Sequence, residues 1–202
     1  MRTAVTRLGH QLVQSATMAL AVQQMKTEGS LRVIAEPLGQ LWAQSVSVAA
    51  ICQVLARQTK VRQDDAFLTG LLHGIGHLYI MVRAAGESAG SQYDHVLAEL
   101  VGSWHPSIGK AVLETWGFAA EMCDAVGDQL DYERKSRGGA DLTDVLIAGI
   151  VLADVLGDKE YDFSRCASVP AFAALALAKD DCIAILKHTR DELGTLHDAL
   201  GC

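Results

Sequence analysis

The stretch Gly70-Leu71-Leu72-His73-Gly74-Ile75-Gly76-His77-Leu78-Tyr79-Ile80-Met81-Val82 constrains this chain most, because it is strongly apolar yet carries three glycines and two histidines. Each glycine costs a helix interior about 1 kcal/mol relative to alanine, so helix stability alone does not account for the composition. Gly74 and Gly76 predict either a break in the helix or a close approach by another backbone. His73 and His77 stand four apart, a spacing that puts both imidazoles on one face of an unbroken helix and can hold a metal. The zinc-protease pattern of that spacing needs Glu directly after the first His, and Gly74 stands there instead. The other reading is a pair of locally hydrogen-bonded histidines.

Around this stretch the apolar residues recur at helical spacing. Val5, Leu8, Leu12, Val13, Ala16 and Leu20 form one stripe, and Leu41, Val48, Ile51 and Leu55 form another within residues 34–58, with Pro37 in its first turn. Asp64 is the expected N-cap of a helix from Asp65 to about His73, and a further apolar piece runs from His77 to Ala84. Residues 86–91 read as a loop. A helix over 93–102 is expected to stop before Pro106, which starts a second over 107–116; a turn at Gly117 then leads into a helix over 119–130. The charged run 131–139 reads as an exposed loop, Asp141 as the cap of an apolar helix over 142–156, Ser168 and Pro170 as another start, and Asp180 or Asp181 as the start of the last helix. With no alternating strand pattern, the expected fold is all-α, a compact multi-helix bundle of roughly eight to ten helices. Residues 1–202 read as a single domain, since no repeat, proline-rich linker or low-complexity tract divides them.

Composition narrows the function. A net charge of −7 gives no long-range attraction to phosphate backbones, so nucleic acid is not an expected partner. The apolar windows 145–156 and 171–178 are too short to span a membrane, and the N-terminus lacks a signal-peptide pattern, so a cytoplasmic location is expected. Cys52, Cys123, Cys166, Cys182 and Cys202 include no CxxC pair, and four of them read as small core residues. Trp42, Trp104 and Trp116 read as core aromatics.

Five stretches in order resemble the HDOD domain, the HD-related output domain of bacterial signalling proteins. They are Val5-Thr6-Arg7-Leu8-Gly9, Leu41-Trp42-Ala43-Gln44-Ser45, residues 66–76, residues 99–109, and Leu113-Glu114-Thr115-Trp116, with Leu175-Ala176-Leu177-Ala178 as a further echo. The resemblance implies a fold of the HD superfamily, whose members are metal-dependent phosphohydrolases. It also implies that the usual N-terminal helical portion is missing ahead of Leu8-Gly9, leaving apolar surface that a second copy could cover.

The same resemblance implies a damaged metal centre. Gln44 stands where the Leu-Trp-x-His-Ser pattern expects His, Gly74 where the His-Asp pair expects Asp, and Gln129-Leu130 where His-His is frequent. His73, His105 and Asp154 remain as vestigial candidates. A two-ion centre needs carboxylates to neutralise and bridge ions about 3.5–4 Å apart, which glycine and glutamine cannot supply. The expectation is therefore no enzyme, no catalytic residue and no cofactor: a signal-transduction module that binds other signalling proteins of two-component or cyclic di-GMP pathways. One alternative is a metal-dependent phosphohydrolase or phosphodiesterase holding a single divalent metal on those three residues. Another is a nucleotide or small-ligand sensor. Without a ligand role, the three residues are expected to form a buried polar cluster tying helices together; equally, His105 can lie just before its helix because of Pro106, and Asp154 can be an ordinary half-exposed helix residue.

Overall fold

The computed structural model describes residues 34–86, 93–136, 138–157 and 162–200, and the expected helix over residues 2–25 lies outside them. Its elements are α1 (Ala35–Ala56), α2 (Gln63–Leu72), α3 (Ile75–Gly86), α4 (Tyr93–Thr115), α5 (Ala120–Gly127), α6 (Leu142–Gly157), α7 (Ser164–Ser168), α8 (Pro170–Ala174) and α9 (Lys179–Leu200). The fold is all-α, and there is no strand among the described residues.

Helix α6 forms the centre. Twelve of its sixteen residues are buried, from Leu142 through Leu152 without interruption and then Val155. Such a helix is apolar on every side because neighbours cover every side. Here they are α1, α2, α5, α7, α8 and α9. Small residues let the crossings close: a Cβ built on Gly149 would lie 2.5 Å from Cys52 Sγ of α1, and one on Gly70 of α2 would lie 2.7 Å from Ala49 Cα. Val48, Ile51, Cys52 and Leu55 of α1 then share one core with Leu146, Val151 and Leu186.

The entry to α6 is fixed by charge as well as packing. Asp141 Oδ1 accepts from the N–H groups of Thr143 and Asp144, while Asp144 Oδ2 accepts from Asp141 N–H at 3.0 Å, a reciprocal cap. Arg134 binds both carboxylates, and Asp144 is only 1% exposed. Burial alone would raise the Asp141 carboxyl, but Arg134 and the capping N–H groups outweigh it and hold it below its ordinary value. The expected cap at Asp141 is thus present. The charged run 131–139 is more than a loop, because its Arg134 neutralises a carboxylate inside the fold.

Several expectations fail at helix ends. Asp64 is not the cap of α2: the helix begins at Gln63 after Arg62, with Asp64 and Asp65 in its first turn. Pro106 does not divide the helix after Gly86, since α4 runs continuously through it. Proline removes the N–H that would meet the carbonyl of residue 102, and Gly102 is exposed, so water can satisfy the carbonyl freed there. The helix ends instead at a Schellman turn: Phe118 N–H donates to Leu113 carbonyl at 3.1 Å, Gly117 N–H to Glu114 carbonyl at 3.0 Å, and Gly117 takes φ +75°. Helix α5 is shorter than expected and stops at Gly127.

Two of the three tryptophans are not core residues. Trp104 is 58% and Trp116 49% exposed, whereas Trp42 is half-buried. The expected lack of any stretch long enough for a membrane also fails on length: residues 35–56 and 63–84 are long and apolar enough, although about half of each is buried within the fold (50% and 56%). Burial of that kind is what a core helix shows.

Candidate functional site

The His73 region lies between α2 and α3. The chain is helical up to Leu72, turns at His73 and Gly74, and is helical again from Ile75. Both readings of the glycines therefore hold, at different residues. Gly74 sits in the break, and Gly76 is the close approach, because a Cβ there would collide with the carbonyl of His105 and lie 2.6 Å from Gly109 N. This contact seats α3 directly against the middle of α4 and brings three imidazoles to one place.

His73 is buried, and its Nδ1–H donates to Gly70 carbonyl at 2.6 Å. Burial lowers its pKa to about 4, the Gly70 hydrogen bond opposing, with His105 and His77 lowering it further. His105 is half-buried, and its Nδ1–H donates to Val101 carbonyl at 2.6 Å. His77 lies across from it with ring centroids 5.9 Å apart. Burial lowers both of these pKa values too, and His105 adds to the lowering at His77. The result is a neutral imidazole cluster in which no carboxylate favours the protonated form.

The other expected positions are elsewhere or otherwise engaged. Asp154 is exposed on α6, and its Oδ2 lies 3.4 Å from Arg165 Nη1. It does not join His73 and His105 in a buried polar cluster, so that reading is corrected, while the reading of Asp154 as an ordinary helix residue open to solvent holds. The reason is local: each imidazole bonds a carbonyl of its own helix segment, and Asp154 has its own cation. Nor does His105 lie ahead of a helix, since it is inside α4. Gln44 is exposed on α1, and Leu130 is partly exposed. Gln129, by contrast, is almost wholly buried; its Nε2 donates to His73 carbonyl at 3.1 Å and to Val126 carbonyl at 2.8 Å. At Gly74, a Cβ would lie 2.8 Å from Leu41 Cδ1 and 3.3 Å from Ser45 Oγ, so a side chain there would point at α1.

Sequence reasoning missed three participants. Spacing pairs His77 with His73, but the ring that His77 faces is that of His105. In sequence Gln129 is only a missing ligand, whereas in the fold its amide ties α5 to the turn at His73. Arg165 carried no signal at all, yet it stacks on Tyr132 at 4.5 Å from the ring centroid as well as meeting Asp154.

The donor set does not fit a two-ion centre. Three neutral imidazoles, a glycine and an amide already committed as a donor offer no anionic bridge, and no group of three or more His, Cys, Asp or Glu among the described residues is disposed to hold a metal.

Comparison with known proteins agrees with this architecture. The family model of the HDOD domain matches residues 1–132. No curated protein matches the sequence. Among solved structures, a Shewanella amazonensis protein provisionally named a metal-dependent phosphohydrolase superposes with a TM-score of 0.63 at 22% identity, covering 93% of this chain and 71% of that one. At that identity the likeness is one of fold.

Proposed function

This chain belongs to the HDOD domain family, and we propose that it serves there as a non-catalytic module that binds other signalling proteins in a two-component or cyclic di-GMP pathway of the cytoplasm. The observation that carries the reading is the state of His73. A bridged metal pair needs anionic carboxylates beside its histidines to neutralise and join the ions, and beside His73 stand the imidazoles of His77 and His105 instead. The residue after it is Gly74, and the amide of Gln129 is spent on its carbonyl. What is left is a packed junction of α2, α3, α4 and α5 that can transmit or present a surface without turning over a substrate.

The test is hydrolysis. Purified protein supplied with manganese, iron or zinc is expected to release no product from phosphodiester or nucleotide substrates above a metal-only blank. Turnover that vanishes in His73→Ala would overturn the proposal.

A second reading is a metal-dependent phosphodiesterase or phosphohydrolase, the latter the activity its structural neighbour is provisionally named for, although His73, His77 and His105 as they stand are not disposed to hold an ion. It predicts a bound metal that the first reading does not. A nucleotide sensor is a third, and it predicts a thermal shift with nucleotide, about 2.7 kcal/mol at one hundred times the Kd.

A further inference from the structure

A cleft of about 280 Å³ opens at the start of α2, whose other end, about 15 Å away, leads into His73. Leu68 of α2, Met122 of α5 and Leu142 of α6 are buried and give it an apolar floor, and the half-buried Phe118 forms a wall. The cleft stays open because the turn from α4 to α5 brings little side chain to it: a Cβ built on Gly117 would meet nothing, and the residue after Phe118 is the exposed Ala119. The charged residues that line it stand at the rim. Arg62 Nε lies 3.8 Å from Asp65 Oδ2, an ion pair longer than a hydrogen bond, while Glu121 on α5 is exposed and has no ion-pair partner among the described residues. Asp64, exposed in the same turn of α2 as Asp65, adds a third carboxylate.

Size and lining decide the occupant. Small-molecule and cofactor sites hold roughly 300–1,000 Å³, so this cleft lies at or below their lower limit, and it suits a single large side chain better. An anion is the wrong occupant, because Asp64, Asp65 and Glu121 in the first turns of α2 and α5 already take up the positive ends of those helices. Three carboxylates against one guanidinium make the rim favour cations, on a chain of net charge −7. A second copy of the chain fits poorly, since it would bring the same surplus of acid to an acidic rim.

We propose that this cleft is where a partner protein docks, receiving one leucine or phenylalanine side chain from a segment whose flanking residues are lysine or arginine. The proposal rests on the reading of this chain as a module that binds other proteins, and it names the surface and the chemistry of the partner. The division of labour is that of interface hot spots: the apolar anchor on Leu68, Met122 and Leu142 supplies affinity by leaving water, and the flanking cations beside Glu121 and Asp65 set orientation and on-rate.

The experiment uses the full chain and peptides of fixed sequence as probes. Methyl resonances of Leu68, Met122 and Leu142 are followed by NMR as the capped peptides GKLKG, GKFKG, GELEG and GKSKG are added to millimolar concentration. The expected result is saturable shifts of those methyls with GKLKG or GKFKG, weaker ones with GELEG, and none with GKSKG, which lacks the apolar anchor. Glu121→Gln is expected to weaken the lysine-flanked peptides about two- to fivefold, the worth of an exposed ion pair, and not to weaken GELEG. Ala119→Trp, at an exposed position on the cleft, is expected to abolish the shifts while the core methyls of Val151 and Leu186 stay in place. Unmoved methyls with both GKLKG and GKFKG would overturn the proposal, as would equal binding of GELEG or shifts that persist in Ala119→Trp. Shifts of the same methyls on concentrating the protein without peptide would overturn it in favour of a second copy. Failure at the cleft leaves the module reading standing, and turnover in the hydrolysis assay counts against that reading alone.

Discussion

Gln129 donates its side-chain amide to the main-chain carbonyl of His73, 3.1 Å away across a sequence separation of 56 residues. The same nitrogen also reaches Val126 carbonyl, so one buried amide joins the end of α5 to the turn between α2 and α3. A position where the family resemblance leads one to look for a ligand therefore holds a structural tie.

Removing that tie without changing volume tests its worth. Gln129→Leu leaves two buried carbonyls without this donor, and the expected loss is about 1–3 kcal/mol of folding stability. The urea midpoint reads it; an unchanged midpoint would mean that the amide contributes nothing net.

Glycines offer a paired test. Gly76→Ala drives a methyl into His105 carbonyl, which is backbone and cannot swing away, so a loss of about 1–3 kcal/mol or more is expected. Gly102→Ala meets open space on the same helix pair and is expected to gain about 0.5–1 kcal/mol. Thermal melts of the two variants should therefore move in opposite directions from the parent.

Much of the fold is legible in the sequence because packing repeats at 3.6 residues. α1, α6 and the cap at Asp141 are expected from the stripe of apolar residues and from one aspartate before it. Helix continuity at Pro106 is not, because whether a proline breaks a helix depends on what satisfies the freed carbonyl, and the exposure of Gly102 is a property of the folded chain. The exposed Trp104 and Trp116 are misread for the same reason, since a tryptophan's type favours burial but its place on the helix decides. At the site, the absence of an aspartate after His73 is plain from Gly74 alone. That Asp154 belongs to Arg165 and that His77 faces His105 are long-range facts with no local signature.

Stability should depend on pH through the imidazoles. The His73 pKa lies near 4 in the fold against an ordinary value near 6.5, so the fold favours the neutral ring. The corresponding stability is complete above about pH 6.5 and is lost as pH falls toward 4, by about 3 kcal/mol at order of magnitude. His77 and His105 are lowered as well and add in the same direction. Urea unfolding between pH 7.5 and 4.5 should show a falling midpoint, with a shallower slope in His73→Asn. A parallel slope in the variant would remove His73 as the cause.

A different backbone position should gain. Ala176 occupies the left-handed region at φ +53°, closing α8 by a Schellman turn in which Leu177 N–H donates to Phe172 carbonyl at 3.0 Å. The left-handed conformation costs a residue with a Cβ about 1–2 kcal/mol, and glycine avoids this at a smaller cost in chain entropy. Ala176→Gly is expected to raise the melting temperature by a few degrees. A fall would show that the Ala176 methyl makes a contact worth more than the strain.

Metal content tests the central claim most directly. Protein purified without chelator, then incubated with manganese, iron or zinc and freed of excess, should carry well under one ion per chain by elemental analysis, unchanged in His73→Ala. One or two ions per chain that are lost in His73→Ala would contradict the account and make the His73 junction a metal site.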